Sequence, residues 1–142
     1  IIGRDYLKEL FSQIILRIVT DTDLDLGTSI QRVQGPKASV LVEENRLRVM
    51  AVAQEFIDRF TSPEMVQKMP HEIKILASFI SEFAIKYAPT HRSQFLGGFV
   101  LLRFFNPAII TPESLDLLPD GITPSKQDRT NLITITRLLQ KI

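Results

Sequence analysis

Apolar residues recur along this chain at three- and four-residue steps, the spacing of a helix with one buried face. Tyr6, Leu7, Leu10, Phe11, Ile14, Ile15 and Ile18 mark a first helix, with Lys8, Glu9, Ser12, Gln13 and Arg17 mostly on its other side. The pattern lapses over Asp21–Ser39, where Gly27, Gly35 and Pro36 read as a loop with room for one helical turn. Helical spacing returns from Val40 to Phe60 through Leu47, Met50, Ala53, Phe56, Ile57 and Phe60. Ser62-Pro63-Glu64 is a helix start: a side-chain cap, a proline at the first position and an acid favoured by the helix dipole. Only a short helix fits before Pro70, which opens the next one, and Pro89 closes that. In this fourth helix Ile73, Leu76, Phe79, Ile80, Phe83 and Tyr87 share a face.

Residues 93–105 are apolar nearly all round, which predicts the central buried helix. Asn106-Pro107 should interrupt it, because proline has no N–H to give and clashes with the preceding turn. Thr111-Pro112-Glu113 repeats the capped start, and a loop through Pro119, Gly121 and Pro124 leads to a last helix from Ser125. There is little β-alternation and no repeat of fixed period. The expectation is an all-α single domain over residues 1–142, with six or seven helices around a central apolar one.

Composition narrows the function classes. Seventeen basic and 16 acidic residues leave a net charge of +1, which calls for neither nucleic acid nor an anionic membrane. The sequence has no cysteine, so disulfides, thiolate chemistry and cysteine metal sites are excluded. The uncharged run Ser93–Leu102 is far shorter than the roughly 20 residues that span a bilayer. The chain opens at Ile1 and stops inside an apolar repeat, so both ends read as cut from something longer.

Most candidate chemistry has a plain alternative. Asp21–Gly27 alternates acids as a calcium loop does, but Arg32 stands where the bidentate acid is needed, which favours a solvated turn. Residues 35–39 (GPKAS) lack the spacing of a phosphate loop, and His71 and His91 lack metal-ligand spacing. Arg103 is different: it is the only charge between Arg92 and Glu113, inside the most apolar segment. A buried guanidinium must have its N–H fork met by carbonyls or a carboxylate. From physics alone, an arginine serving only stability, or reaching out to solvent, is favoured over a functional one.

The run LLRFFNPAIITPE at 101–113 resembles the signature of Ras GTPase-activating domains. EEN at 43–45, Pro70 with Glu72-Ile73-Lys74, GRDYLKELF at 3–11 and RTNLITITRLLQKI at 129–142 resemble the flanking helices of that family, so the likeness covers nearly the whole chain. The resemblance implies an all-helical, cytoplasmic domain acting at the inner face of membranes through its partner, a GTP-loaded Ras-family GTPase. It implies no cofactor in this chain, since GTP and magnesium belong to the GTPase. Such a domain is an activator rather than an enzyme: it lends an arginine finger to the GTPase site and holds the glutamine that orients the attacking water.

By position, Arg103 matches the supporting arginine that holds the finger loop by its main-chain carbonyls, and Leu101 and Leu102 match the two residues before it. The first of these is often Phe in the family. Asn106, Pro107 and Ala108 match a bend beside the switch contacts, and Arg137 falls where relatives often carry a lysine near the GTPase groove. The finger itself is expected upstream of Ile1, because Arg4 lies too close to Tyr6 to serve. Scaffolds of the IQ-motif-containing branch share the signature arginine yet bind GTP-loaded Rho-type GTPases without accelerating hydrolysis. The sequence LLRFFNPAI is nearer the Ras-directed form than their tyrosine-rich form.

Overall fold

The computed structural model describes residues 3–22, 24–27 and 38–141, with Ala38 in its backbone only. Seven α-helical segments run through them: α1 (Arg4–Thr20), α2 (Ala38–Thr61), α3 (Pro63–Lys68), α4 (His71–Tyr87), α5 (Arg92–Gly98), α6 (Asn106–Ile110) and α7 (Lys126–Leu139). A π-helical stretch, Phe99–Phe105, joins α5 to α6, and short 3-10 turns occupy Pro89–His91 and Pro112–Leu115. The fold is all-α, with the apolar 92–110 helix packed against the others. The helical turn allowed for within 21–39 falls largely outside the described residues.

The core lies between α1, α2, α6 and α7, which contact one another in sequence-distant pairs. Helix α1 buries Tyr6, Leu7, Leu10, Phe11, Ile15 and Ile18, the face its periodicity marks. Helix α2 turns a different face inward. Asn45, Val49, Ala53 and Phe56 are buried, whereas Leu47 and Met50 are 59% and 51% exposed. The caps follow the sequence: Ser62 Oγ accepts from Met65 N–H at 3.4 Å. Ser125 and Asp128 form a reciprocal capping box at the start of α7. Thr111 does not cap a helix; its hydroxyl donates back to the Pro107 carbonyl at 2.8 Å, and only a 3-10 turn follows.

Helix α4 departs furthest from its expected packing. Ile73 and Ala84 are buried, but Leu76, Phe79, Phe83 and Tyr87 are exposed, Phe79 by 64%. Helix α4 packs mainly on α5 and the turn between them, and Lys74 also donates to the Gln67 carbonyl of α3 at 3.3 Å. The central apolar helix is not buried all round: Phe95 and Leu102 are about half exposed. Burial begins at the C-terminal end of this stretch, where Phe105 is 1% exposed and Val100, Leu101 and Phe104 pack on the core.

The helix does not break at Asn106-Pro107. It changes register: the Asn106 N–H bonds the Leu101 carbonyl, five residues back, and Asn106 keeps helical angles of φ −60° and ψ −43°. Widening to the π register is a physical answer to a proline that cannot donate and whose ring crowds the preceding turn. The resulting helical run Pro89–Ile110 is 22 residues long and apolar enough to cross a membrane by length and composition. This exceeds the uncharged run visible in the sequence. Phe105, Ala108 and Ile109 at its end, however, are fully packed into the core cluster shared with α1 and α7.

Aromatic rings carry the packing between α1, α2 and the π stretch. Phe11 meets Phe56 and Phe105 edge-on, both at 5.2 Å between centroids, and Phe60 meets Phe105 at 5.1 Å. Gly3 starts α1 at φ 83°, and a Cβ there would lie 2.8 Å from the Phe104 ring, so both backbone and space require glycine.

Tyr6 stacks on Phe104 with centroids 6.3 Å apart, and its buried hydroxyl has no hydrogen-bond partner among the described residues. Burial raises the Tyr6 pKa above its ordinary 10.0, with the nearby Arg59 charge opposing. A raised folded-state value means that the stability is whole below pH 10 and is lost as pH climbs through the folded pKa. Tyr6→Phe is therefore expected to keep neutral-pH stability within about 1 kcal/mol, because no partner is lost. It should also reduce the alkaline loss. Urea unfolding of both forms from pH 7 to 11 checks this; equal slopes above pH 10 would refute it.

Candidate functional site

The π register decides which side chains of the signature reach the surface. Val100, Leu101, Phe104 and Phe105 turn to the core, and Leu102 and Arg103 turn outward. Arg103 is exposed and has no hydrogen bond or ion pair among the described residues. The burial expected from its apolar neighbours is thus absent, and with it the physical demand for internal acceptors. A solvated guanidinium bears no desolvation cost, so its donors are free to meet an outside group.

The neighbouring residues divide into a surface set and a supporting set. Pro107 is exposed beside Arg103, and Leu102 is 50% exposed. Ala108 is fully buried, and Asn106 is 3% exposed. Both amide atoms of Asn106 are buried without a hydrogen-bond partner among the described residues. The residue matched to the switch contacts is therefore buried here, while Arg103 and Pro107 are exposed. Arg137 sits exposed in the last turn of α7. Helices α6 and α7 pack together, but no hydrogen bond or ion pair joins Arg137 to the signature residues among those described.

An unpaired buried amide opposes folding, by roughly 1–3 kcal/mol in comparable cases. Asn106→Ala is expected to leave the stability of this chain unchanged or raised, instead of the usual loss near 1 kcal/mol. Chemical denaturation decides; a loss above about 2 kcal/mol would mean that the amide has partners in the folded protein.

Four polar residues to which the sequence pattern gave no role of their own organise the surroundings. Asn131, fully buried on α7, accepts from Leu26 N–H at 2.9 Å and donates to the Leu24 carbonyl at 3.0 Å. Gln127 supports the same amide at 3.0 Å, and Asn45 of α2 donates to the Gly27 carbonyl at 2.9 Å. Together they pin the loop 24–27 between α2 and α7. Arg129 donates to the Ile110 carbonyl at 2.6 Å and pairs with Glu113 at 2.5 Å, tying α7 to the end of α6. The legible signal for the loop clamp was Gln127 and Asn131 four residues apart, with Asn131 on the apolar stripe of α7.

These features define a helical domain whose signature helix presents an exposed arginine beside a proline-forced register change. Residues 27–142 match the family model described as GTPase-activator protein for Ras-like GTPase, and the chain belongs to that family. It is similar to Neurofibromin-A of Dictyostelium discoideum, with 35% identity covering 99% of this chain and 16% of that protein. It is also similar to the Ras GTPase-activating-like protein rgaA of the same organism, at 23% identity over 94% of this chain and 16% of the relative. The chain therefore spans about one sixth of the length of these two relatives.

Proposed function

We propose that this chain is the helical core of a domain that binds a GTP-loaded Ras-family GTPase and accelerates its GTP hydrolysis. The observation that carries the reading is Arg103, the signature arginine of a family-matched chain, exposed and with its N–H fork unengaged among the described residues. In this reading Arg103 braces, by donating to main-chain carbonyls, a finger loop that precedes Ile1. The finger arginine neutralises charge on the transferred phosphoryl group; such fingers are worth roughly 10³–10⁵ in rate, a range set by Ras with its own activators. Leu102, Pro107 and Arg137 form the surface that meets the GTPase, while Leu101, Asn106 and Ala108 hold it from behind. GTP and its magnesium belong to the partner, and the domain works in the cytoplasm at the membrane face where that partner resides, without inserting.

Single-turnover GTP hydrolysis by Ras, Rap and Rho-type proteins tests the reading, with the full-length protein as activator. Stimulation of a Ras-family member is the expected result. Slower GTP loss in the complex would instead make the domain a non-catalytic scaffold for Rho-type GTPases. Residues 1–142 alone should stimulate poorly, and full activity from them would show the finger to be misplaced.

A further inference from the structure

We propose that Arg129 is a positioning residue that fixes the signature junction at Asn106–Pro107 relative to Arg137, and so sets the geometry of the GTPase-binding surface. The inference rests on the function proposed above. Arg129 lies in the first turns of α7, and its guanidinium bridges two elements. Nη1 donates to the carbonyl of Ile110, the last residue of α6, at 2.6 Å. Nη2 pairs with Glu113 of the following 3-10 turn at 2.5 Å. The last carbonyls of a helix lack partners within it, so the first bond satisfies a group that would otherwise need water. The second fixes the exit path of the chain. A planar fork that makes both bonds at once sets an angle as well as a distance.

A merely stabilising role does not account for the pair. Its side chains are 32% and 31% exposed, so solvent screens the pair in part and its contribution to stability is modest. Helix α7 is already held by buried Leu132, Ile135 and Leu139 and by the Asn131 clamp. Apolar burial is non-directional, however, and tolerates small rotations of one helix against another. Arg137 follows Arg129 by eight residues, roughly 12 Å along and 80° around the helix axis. A small rotation at the Arg129 end therefore displaces the Arg137 side chain relative to Arg103 and Pro107. Misplacement by about 1 Å can cost about 10²-fold where binding and chemistry depend on alignment.

The test uses the full-length protein carrying Arg129→Ala, Arg129→Lys, Glu113→Gln, Arg137→Ala and the Arg129→Ala/Arg137→Ala double substitution. Stimulated single-turnover hydrolysis of a GTP-loaded Ras-family GTPase is read alongside the Tm. Arg129→Ala is expected to lower kcat/KM about tenfold with Tm nearly unchanged. Arg129→Lys, which keeps the charge but not the fork, should fall between it and the unsubstituted protein, as should Glu113→Gln. In the Arg137→Ala background the same change should cost much less, because both act through one placement. Losses that add independently, or that track Tm across the series, overturn the proposal. Hydrogen exchange without any GTPase supplies a separate readout: amides of residues 107–113 should exchange faster in Arg129→Ala while those of α1 do not. Unchanged exchange also overturns it. An unsubstituted protein that neither binds nor stimulates any GTPase defeats the function reading, and the exchange result still decides whether Arg129 holds this junction.

Discussion

Replacing Arg103 with alanine is expected to slow stimulated GTP hydrolysis by about 10²-fold while changing GTPase affinity only about threefold. A brace acts by holding the finger where charge develops, so its loss falls on the transition state more than on the bound ground state. The exposure of Arg103 adds a second expectation. Its removal breaks no bond among the described residues, so stability should stay within about 0.5 kcal/mol. Arg103→Lys should recover little, because a point charge cannot meet two carbonyls as a planar fork does. Single-turnover rates, a binding titration with a non-hydrolysable GTP analogue and urea unfolding measure the three quantities. Equal losses in rate and affinity would count against a bracing role, and a large loss of stability would mean that Arg103 has internal acceptors.

Phe105→Ala, two residues on, should do the opposite: a loss of about 3–5 kcal/mol in stability. Phe105 is 1% exposed and touches Phe11, Phe60 and Phe104 at centroid distances of 5.2, 5.1 and 5.5 Å. Its removal opens a cavity where α1, α2 and the signature helix meet, and the surrounding rings are held by one another and relax only in part. Against a total of roughly 5–15 kcal/mol for a domain, this leaves a marginal fold. Leu102→Ala, at a half-exposed position of the same stretch, should cost under about 1 kcal/mol. Urea unfolding of the two variants gives the comparison; similar losses would show that the π register does not sort the two faces as described.

The helices were largely legible in the chain, because caps and periodicity are local. Ser62-Pro63 and Ser125 with Asp128 begin helices for reasons confined to a few residues, and the α1 stripe from Tyr6 to Ile18 is the buried one. Faces were less legible wherever two were apolar. The periodicity of helix α4 put Ile73, Phe79 and Phe83 on one face, yet Ile73 is buried with Ala84 while Phe79 and Phe83 are exposed, and nothing local says which side is covered. Helix α2 buries Asn45, a polar residue, in place of Leu47 because Asn45 answers the Gly27 carbonyl across the structure.

The candidate site divides in the same way. Arg103, Asn106 and Pro107 stand together in the chain, so their neighbourhood and their likeness to the Ras GTPase-activating signature needed no coordinates. Their exposure did. An arginine amid apolar residues reads as buried until the register around it is known, and the register depends on how Pro107 is accommodated. The wide turn that accommodates it puts Arg103 in solvent and Asn106 in the interior. Arg129 remained invisible for a related reason: its partners, Ile110 and Glu113, are 19 and 16 residues away. By itself the sequence determined the helices and the family, since propensity, capping and a contiguous signature are short-range properties. Only the tertiary structure decided which charges are free, which amides are buried and which residue ties α7 to α6, because each depends on groups that chain folding brings together.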